Sequence, residues 1–420
     1  MSPQHTATPR PLAVAWPGGR VGPGDAPVTL RFRETRWLAA LAQASVGDLA
    51  EAYVRGELEI EGSMRDLMSA AASLLNDPTQ AQAPALWQRW WAAWHSRRLH
   101  DRQHDANQIQ FHYDVSDDFY ALWLDARRVY SCAYWPVGVQ TLAAAQEAKL
   151  DLICRKLRLA PGMRFLDIGA GWGGLLLWAA EHYGVQAHGV TLSKNQHAHV
   201  NHLIAERGLS SRVRMELLDY RDVGAQHWGR EPFDRISSVG MFEHVGNAQL
   251  PAYFATLKRL LAPGGLVLNH GITAGGLHNR QLGAGMGSFV ERHIFPGGEL
   301  VHVSRVTTTL AQGGLELLDV ENLRPHYART LWAWSDALEA NLDEAARLVA
   351  PERLRAYRLY LAGSAMNFEH GWLSLYQLLG GHADGQVGKE AAGHPRGAQS
   401  AYPFERGYMH VPRGDAAANS

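Results

Sequence analysis

The segment SVGMFEHVG (238–246) places a glutamate and a histidine, Glu243 and His244, side by side in an apolar stretch flanked by glycines. Charged side chains are rarely buried without a partner, so the carboxylate of Glu243 must hold something. One interpretation is a functional group of an active site. The other is a cap for the helix that follows the strand. We interpret His244 as the structural member of the pair.

A glycine-rich turn in LDIGAGWGG (166–174) indicates where a cofactor binds. Its glycines follow a predicted strand and open a helix, so backbone N–H groups can approach a ligand closely. The spacing G-x-G-x-G-G differs from the G-x-G-x-x-G of dinucleotide sites, and the next strand ends in GVTLSKNQ (189–196) without an acid for a ribose. The pattern fits a nucleoside without a pyrophosphate, for which S-adenosylmethionine is the natural candidate. A purely structural turn is the alternative.

These motifs lie in a region where strands and helices alternate. From about residue 140 the apolar pattern predicts strands in MRFLDI, VQAHGVTLS, VRMELLDYRD, FDRISSVGMFEHVG and GGLVLNHGIT, with helices between most of them. Such alternation predicts an α/β domain with a mostly parallel sheet and helices on both faces. We place this catalytic domain at residues 106–380.

The flanking segments differ in composition from the catalytic domain. Residues 28–76 combine strand and helix patterns, with Ser63 as an N-cap, and predict a small α+β unit. Residues 1–27 are rich in Pro, Gly and Ala, and we expect a flexible leader there. Residues 381–420 are polar with little periodicity, so we expect a mostly disordered tail.

Residues 77–105 are predicted to form a linker and a Trp-rich helix. Within ALWQRWWAAWHSRR (85–98), four tryptophans recur at helical spacing beside arginines. The helix either packs between domains or lies at a membrane interface, since Trp and Arg both favour the headgroup boundary. The sequence leaves both interpretations open. The four tryptophans are Trp87, Trp90, Trp91 and Trp94.

The composition excludes several classes of protein. The chain of 420 residues has 40 Lys and Arg against 41 Asp and Glu, and the absence of a basic block argues against a nucleic-acid partner. No apolar run reaches the roughly 18 residues that span a bilayer, and no signal-peptide pattern opens the chain. Two cysteines fit a reducing compartment, so we expect a cytoplasmic protein. The histidines are scattered without metal-ligand spacing, so no metal site is predicted.

Six blocks, in this order, resemble the cyclopropane-fatty-acyl-phospholipid synthases and the related mycolic-acid cyclopropane synthases and methyltransferases. The resemblance covers residues 105–380, and the N-terminal unit is also similar to that of the phospholipid enzymes. It implies a class I methyltransferase fold, S-adenosylmethionine as cofactor and an unsaturated acyl chain as substrate. The blocks are HYDVSDDFY (112–120), YSCAYW (130–135), LDIGAGWGG (166–174), GVTLSKNQ (189–196), DYRD (219–222) and VGMFEHVG (239–246).

The resemblance also implies the site residues. An alkene attacking the sulfonium methyl leaves a carbocation, and ring closure then needs a base in a site without water. In the family this base is a bound bicarbonate ion. Its cage would comprise Cys132, Glu243, His270, the backbone N–H of Ile272 and Tyr327. The cofactor pocket would comprise Tyr113, Ser131, Asp167, Gly169, Gly171, Thr191, Gln196 and Tyr220.

The chain departs from the phospholipid enzymes at one position of the site. Ser364, in LYLAGSAMNFEHG, stands where those enzymes carry a second cysteine. The product is therefore left open between a cyclopropane ring and a methylene- or methyl-branched chain. A catalytically idle binding protein and a soluble methyltransferase for small molecules are the remaining alternatives. The resemblance further implies peripheral association with the inner face of the cytoplasmic membrane, a phospholipid substrate and a homodimer.

Overall fold

The structure, a computed structural model, covers most of both folded units. Tyr113 and the Trp-rich segment 85–98 lie outside the described residues, so the predictions made on them stay predictions. The described residues are 12–43, 45–75, 77, 79, 117–224, 231–278, 286–294, 299–382, 403 and 405–410.

The N-terminal unit is a four-stranded sheet with three helices. Its strand order is β2-β1-β3-β4, with β1 parallel to β3 and the other pairs antiparallel. The predicted N-cap is confirmed, because the Ser63 side chain accepts a hydrogen bond from the backbone N–H of Asp66. The elements are β1 (Leu12–Trp16), β2 (Gly19–Val21), β3 (Val28–Phe32), α1 (Trp37–Ala42), α2 (Val46–Val54), β4 (Leu58–Gly62) and α3 (Met64–Leu74).

The prediction of a flexible leader at 1–27 is wrong for residues 12–27. Strands β1 and β2 form a hairpin there, and Ala13 and Ala15 are buried on the inner face of β1. The glycines that suggested a loose segment make the turn instead: Gly18 has a φ of 95°, which favours glycine. The alternation in LAVAW is too short to distinguish from a loop by pattern alone.

The catalytic domain is built on a seven-stranded sheet with the order β10-β11-β9-β8-β5-β6-β7. Strands β5 to β9 pair in parallel, and β11 runs antiparallel to both β9 and β10. The predicted α/β fold with a mostly parallel sheet is confirmed. The strands are β5 (Arg164–Ile168), β6 (Gln186–Thr191), β7 (Val213–Leu217), β8 (Phe233–Val239), β9 (Leu261–Ala274), β10 (Glu316–Asn322) and β11 (Leu373–Gly381).

Helices pack on both faces of this sheet. On β5, Phe165 belongs to one apolar cluster and its neighbour Leu166 to another, as the period of two in a strand requires. The helices of this domain are α4 (Asp117–Ala121), α5 (Leu142–Lys156), α6 (Gly174–Tyr183), α7 (Lys194–Glu206), α8 (Leu250–Leu260), α9 (Met286–His293), α10 (Val303–Gln312), α11 (Arg324–Ala340), α12 (Leu342–Leu348), α13 (Pro351–Glu369) and α14 (Gly407–His410).

Two further predictions need correction. The strand predicted over FDRISSVGMFEHVG ends at Val239, and Phe242–His244 forms a single 3-10 turn instead. The change of direction falls at Gly240, which has a φ of 69°. The tail predicted as mostly disordered contains α14, whose Met409 is buried in the same apolar cluster as Leu150 of α5.

Candidate active site

A cavity of about 330 Å³ opens at the carboxyl ends of β5 and β6. This is the edge at which ligands bind in open α/β sheets. The cavity is lined by all the predicted cofactor residues that the structure describes. They are Ser131, Asp167, Gly169, Gly171, Thr191, Gln196 and Tyr220. His244, which we interpreted as structural, is half-buried and also lines this cavity.

The glycine turn is held tightly between β5 and β6. The backbone N–H of Gly169 donates to the carbonyl of Val190 at 3.0 Å, and Gly169 has a φ of 73°. At Gly173, with a φ of 81°, an added Cβ would lie 2.9 Å from Cγ2 of Val200 on α7. A side chain at position 173 would therefore clash with α7, and the glycines at 169 and 171 line the cavity without side chains.

Polar groups in the cavity fit the hydroxyls of a nucleoside. The Thr191 hydroxyl donates to Gln196 Oε1 at 2.7 Å, which orients the amide. The amide nitrogen, Gln196 Nε2, is buried and has no hydrogen-bond partner. Buried donors are normally paired, so this nitrogen is available to a ligand oxygen. The resemblance implies that these two residues replace the ribose-binding acid of other methyltransferases, and this role stays a prediction.

Asp167 and Lys149 are two buried ionisable residues that line the cavity. Asp167 accepts a hydrogen bond from the Ser237 hydroxyl at 2.6 Å, and burial raises its pKa to about 6. Lys149 is 1% exposed and donates to Ser131 Oγ at 2.9 Å. The sequence analysis missed Lys149. Its signal was available, because the helical period places this lysine on the buried stripe of α5 with Ala145.

Glu243 lies beside the cofactor cavity, and the residue as a whole is 6% exposed. The backbone N–H of Ile272 donates to Glu243 Oε1 at 2.7 Å, while Oε2 is buried with no hydrogen-bond partner. Burial raises the pKa of Glu243 to about 7. The structure does not support the alternative role of Glu243 as a helix cap. Glu243 lies within the 3-10 turn, and its carboxylate accepts a hydrogen bond from the backbone of strand β9.

His270 lies on β9, two residues before Ile272, and carries a second buried polar atom without a hydrogen-bond partner among the described residues. Gln377 Nε2 lies 3.2 Å from His270 Nδ1. An amide nitrogen only donates, so Nδ1 accepts and the proton of the neutral ring is on Nε2. Burial lowers the pKa of His270 well below its ordinary value, which keeps the ring neutral. His270 Nε2 is buried and has no partner.

Glycine at position 271 allows the Glu243 turn to pack on β9. An added Cβ at Gly271 would lie 1.9 Å from Cε1 of Phe242. The Gly240 N–H donates to the carbonyl of His270 at 2.8 Å, which fixes the turn in register with the strand. The contact between Phe242 and Gly271 thus sets the depth at which Glu243 meets Ile272.

Cys132 and Tyr327 approach from the other side of β11. Cys132 Sγ donates to the carbonyl of Ala133 at 3.2 Å and lies 3.9 Å from the carbonyl oxygen of Leu323. Burial raises the pKa of the Cys132 thiol, so it stays protonated. Tyr327 follows one helical turn after Leu323, whose N–H donates to Leu375 on β11, opposite Ile272. The structure thereby links these residues to Ile272 through β11.

Ser364 lies half-buried on α13. Phe368, one turn further on, has its ring centroid 4.7 Å from that of Tyr327. The helix of Ser364 therefore reaches the site, while contact of the hydroxyl with Glu243 or His270 stays a prediction. Among the described residues no His, Cys, Asp or Glu cluster is placed to hold a metal. Within the same residues no helix is long and apolar enough to cross a membrane.

Residues 100–378 match the family described as mycolic acid cyclopropane synthetase, and the chain belongs to this family. A probable fatty acid methyltransferase of Pseudomonas putida is 44% identical over 368 residues, or 87% of this chain and 90% of that protein. Cyclopropane mycolic acid synthase 1 of Mycobacterium tuberculosis (strain H37Rv) is 41% identical over 66% of this chain and 96% of its own length.

Solved structures agree with the fold and the cofactor. Mycolic acid cyclopropane synthase CmaA1 complexed with SAH and CTAB has a TM-score of 0.61 at 39% identity, covering 66% of this chain and 97% of that one. Coclaurine N-methyltransferase, at 20% identity and a TM-score of 0.63, shares the fold. The protein is an S-adenosylmethionine-dependent methyltransferase with the class I fold. The cavity at the glycine turn, which the predicted cofactor residues line, stays the predicted cofactor site.

Proposed function

We propose that the protein transfers a methylene group from S-adenosylmethionine across the cis double bond of an unsaturated acyl chain in a membrane phospholipid. The proposal is supported by two buried polar atoms that have no hydrogen-bond partner among the described residues, Glu243 Oε2 and His270 Nε2. His270 pairs in the sheet with Val239, which lines the cofactor cavity. Met241 and Val245, on either side of Glu243, line that cavity. A methyl donor and polar groups that can manage a proton are thereby close together.

The reaction requires a dry site and a proton acceptor. S-adenosylmethionine, when bound, gives its methyl group to the double bond and leaves as S-adenosylhomocysteine. The new carbon–carbon bond leaves a cation on the chain, and loss of a proton from the added carbon lets the ring close. Cys132, His270 and Glu243 are all buried, so this part of the site excludes water. The Cys132 thiol stays protonated and is therefore a poor nucleophile, while the Nδ1 lone pair of His270 is occupied by its hydrogen bond with Gln377.

We propose bicarbonate as the base, because it has both an O–H donor and negatively charged acceptors. Glu243 Oε2 would accept a hydrogen bond from its hydroxyl, and His270 Nε2 would donate to another oxygen. Tyr327 and Cys132 complete the proposed cage. The Ile272 N–H, predicted to contact the ion, is instead bonded to Glu243 Oε1. In this proposal Ile272 positions the carboxylate.

A second candidate product is a methylene- or methyl-branched chain. Ser364 replaces a cysteine of the phospholipid enzymes, and the relative from Pseudomonas putida is named a probable fatty acid methyltransferase. A 1,2-hydride shift would first move the cation to the carbon that bears the new methyl group, and loss of a proton from that methyl group would then give the methylene branch. A saturated methyl branch would in addition need a hydride donor, supplied by a separate reductase. Both candidates share the cofactor site and the buried pair. They differ in whether a hydride shift moves the cation before the added carbon loses its proton.

The proposed setting is the inner face of the cytoplasmic membrane. There the N-terminal unit and the Trp-rich helix would dock a peripheral enzyme, as a homodimer by resemblance. Two other classes of function compete with this proposal. An idle lipid- or cofactor-binding protein would transfer no methyl group, and a soluble methyltransferase would act on a small water-soluble acceptor.

The test is transfer of radiolabelled methyl from S-adenosylmethionine to phospholipid vesicles. We expect label in the acyl chains of dioleoyl vesicles, none in dipalmitoyl vesicles, and less label when bicarbonate is removed. No transfer to any unsaturated lipid would support the idle protein. Label that appears only in a water-soluble acceptor would support the third class.

A further inference from the structure

Lys149 is a buried cation on the wall of the cofactor cavity. It lies on α5, is 1% exposed and lines the cavity together with Ser131. Its ammonium donates one hydrogen bond, to Ser131 Oγ at 2.9 Å. An ammonium has three donors, so the serine leaves it undersatisfied.

Within the part of the chain that the structure describes, no carboxylate forms an ion pair with Lys149. Among the described residues none lies within 4.0 Å of its nitrogen. Asp125 accepts the backbone N–H groups of Arg127 and Val129, and Asp167 accepts the Ser237 hydroxyl. Both aspartates act on Lys149 at longer range, and burial lowers its pKa to about 8.

Lys156, two turns further along α5, is a useful comparison. It is equally buried, but it forms ion pairs with Glu321 and Asp319. Burying a charge without a partner is costly, and proteins normally pair it. Lys156, which does not line the cavity, is paired with two carboxylates. Lys149, which lines the cavity, forms no ion pair with a carboxylate of the described residues. The missing anion of Lys149 is therefore expected from the ligand.

The cofactor has one group of the right charge. S-adenosylmethionine carries a sulfonium, an α-ammonium and an α-carboxylate. A buried cation would repel the first two groups and attract only the third. A carboxylate can also accept from a hydroxyl and an ammonium at once, because it has two acceptor oxygens.

We propose that Lys149 and Ser131 bind the α-carboxylate of S-adenosylmethionine, with Lys149 as the residue that makes the pocket specific for the amino-acid end of the cofactor. The proposal rests on the cofactor assignment and not on the lipid product. The other cavity cations have partners of their own: Arg128 pairs with Asp117 at 3.2 Å and Arg221 with Asp219 at 2.6 Å.

The experiment compares two ligands by calorimetry on the full-length protein without lipid. One is S-adenosylmethionine, and the other is its decarboxylated analogue, which keeps the sulfonium and the amine. We expect the wild-type protein to bind the first about tenfold or more tightly than the second. In Lys149→Met this preference should fall to about threefold or less, with affinity for the analogue little changed.

Three results would overturn the proposal. The first is that the wild-type protein binds both ligands with equal affinity, and this result can be obtained without any variant. Lys149→Met could weaken both ligands by the same factor, which would make the lysine merely structural. Arg128→Met could abolish the preference while Lys149→Met keeps it, which would assign the carboxylate to Arg128. If Lys149→Met does not fold, Ser131→Ala gives the answer, since it should lower the preference about threefold.

Because these measurements omit lipid, they remain informative whatever the acceptor proves to be. Failure of vesicle methylation would leave the ligand preference intact, and loss of the preference would leave methylation of lipid intact as a proposal. The two proposals therefore fail separately.

Discussion

Glu243 combines a structural hydrogen bond with a free acceptor. Its Oε1 binds the Ile272 N–H, and its Oε2 is buried without a partner next to the cofactor cavity. Replacing the carboxylate by an amide keeps the shape and an oxygen for Ile272, while the charge is lost. Glutamine at this position therefore separates the structural role from the chemical one.

We expect Glu243→Gln to lower kcat about 100-fold or more, because it removes the acceptor that manages the proton. Cofactor affinity and the melting temperature should stay close to wild type, because the amide oxygen can still accept from Ile272. Turnover on unsaturated vesicles, calorimetry with S-adenosylhomocysteine and thermal unfolding measure the three quantities. Normal turnover would show that the proposed cage is wrong.

The pH profile follows from the same carboxylate. Burial raises the pKa of Glu243 to about 7, so the ionised form increases as pH rises through that value. If the ionised form is active, kcat/KM should rise across roughly pH 6 to 8. The bicarbonate concentration must be held constant across the series. A profile in which kcat/KM falls over this window would mean that the protonated acid is the working form.

At the scale of elements, β9 and the Phe242–His244 turn set the geometry of the site. Gly271 lets the Phe242 ring lie against the strand, and this contact brings Glu243 to Ile272. An alanine at 271 cannot be accommodated unless the ring moves. Moving the ring would also shift Glu243, the next residue, relative to the Ile272 N–H.

We therefore expect Gly271→Ala to destabilise the protein by about 1–3 kcal/mol and to lower turnover more than tenfold. Chemical denaturation and vesicle methylation measure these effects. The matched control is Gly24→Ala, since nothing lies within 4 Å of a Cβ added there. Wild-type turnover in Gly271→Ala would mean that the turn tolerates displacement and does not position Glu243.

The cofactor half of the site could be predicted from sequence because its parts are local. The glycine turn follows β5, Thr191 ends β6 and Gln196 lies in the first turn of the next helix, α7. Parallel strands bring such ends to one edge of the sheet. The partners of Glu243 and His270 could not be predicted in the same way. They depend on the pairing of β9 with β8 and β11, which places Gln377 opposite His270.

Two other features were missed for different physical reasons. Lys149 was not predicted because an amphipathic helix normally carries its lysines on the exposed face. Only the rotational position of residue 149 on α5 places it on the buried face. Strand β1 was not predicted because its five residues are too few to indicate a strand by themselves. The strand is stabilised by pairing with β3, which follows only after a glycine-rich turn.

At the scale of the whole molecule, arginines of α13 join the catalytic domain to the N-terminal unit. Arg358 donates to Glu339 at 2.7 and 2.8 Å and to the Tyr53 hydroxyl at 2.7 Å. Arg355 donates to the Tyr53 carbonyl and to Glu59. The two units are therefore tied together by partly buried, charge-assisted hydrogen bonds.

We expect Arg358→Ala to destabilise the protein by about 2 kcal/mol, because it removes these bonds and leaves Glu339 and Tyr53 without their partner. Limited proteolysis should then cut faster within residues 28–62. Arg347→Ala is the control, since its pair with Glu344 is exposed and contributes little. Equal protease resistance in the two variants would mean that apolar packing alone holds the N-terminal unit in place.

The proposed docking on the membrane involves the whole molecule and depends on the Trp-rich segment outside the described residues. Combined Trp90→Ala and Trp94→Ala substitutions are expected to weaken sedimentation with anionic vesicles while circular dichroism stays unchanged. Unchanged sedimentation would assign this segment to packing between the domains.

The most direct test of the proposed function is the structure of the modified acyl chain. The purified protein is incubated with vesicles of an oleoyl phospholipid, S-adenosylmethionine and bicarbonate, and the hydrolysed chains are examined by proton NMR. We expect high-field cyclopropane protons, and their appearance would mean that Ser364 suffices where the phospholipid enzymes carry cysteine. Exocyclic methylene protons would contradict ring formation and identify a branch-forming methyltransferase. An unmodified chain would contradict the assignment of the acyl double bond as the methyl acceptor.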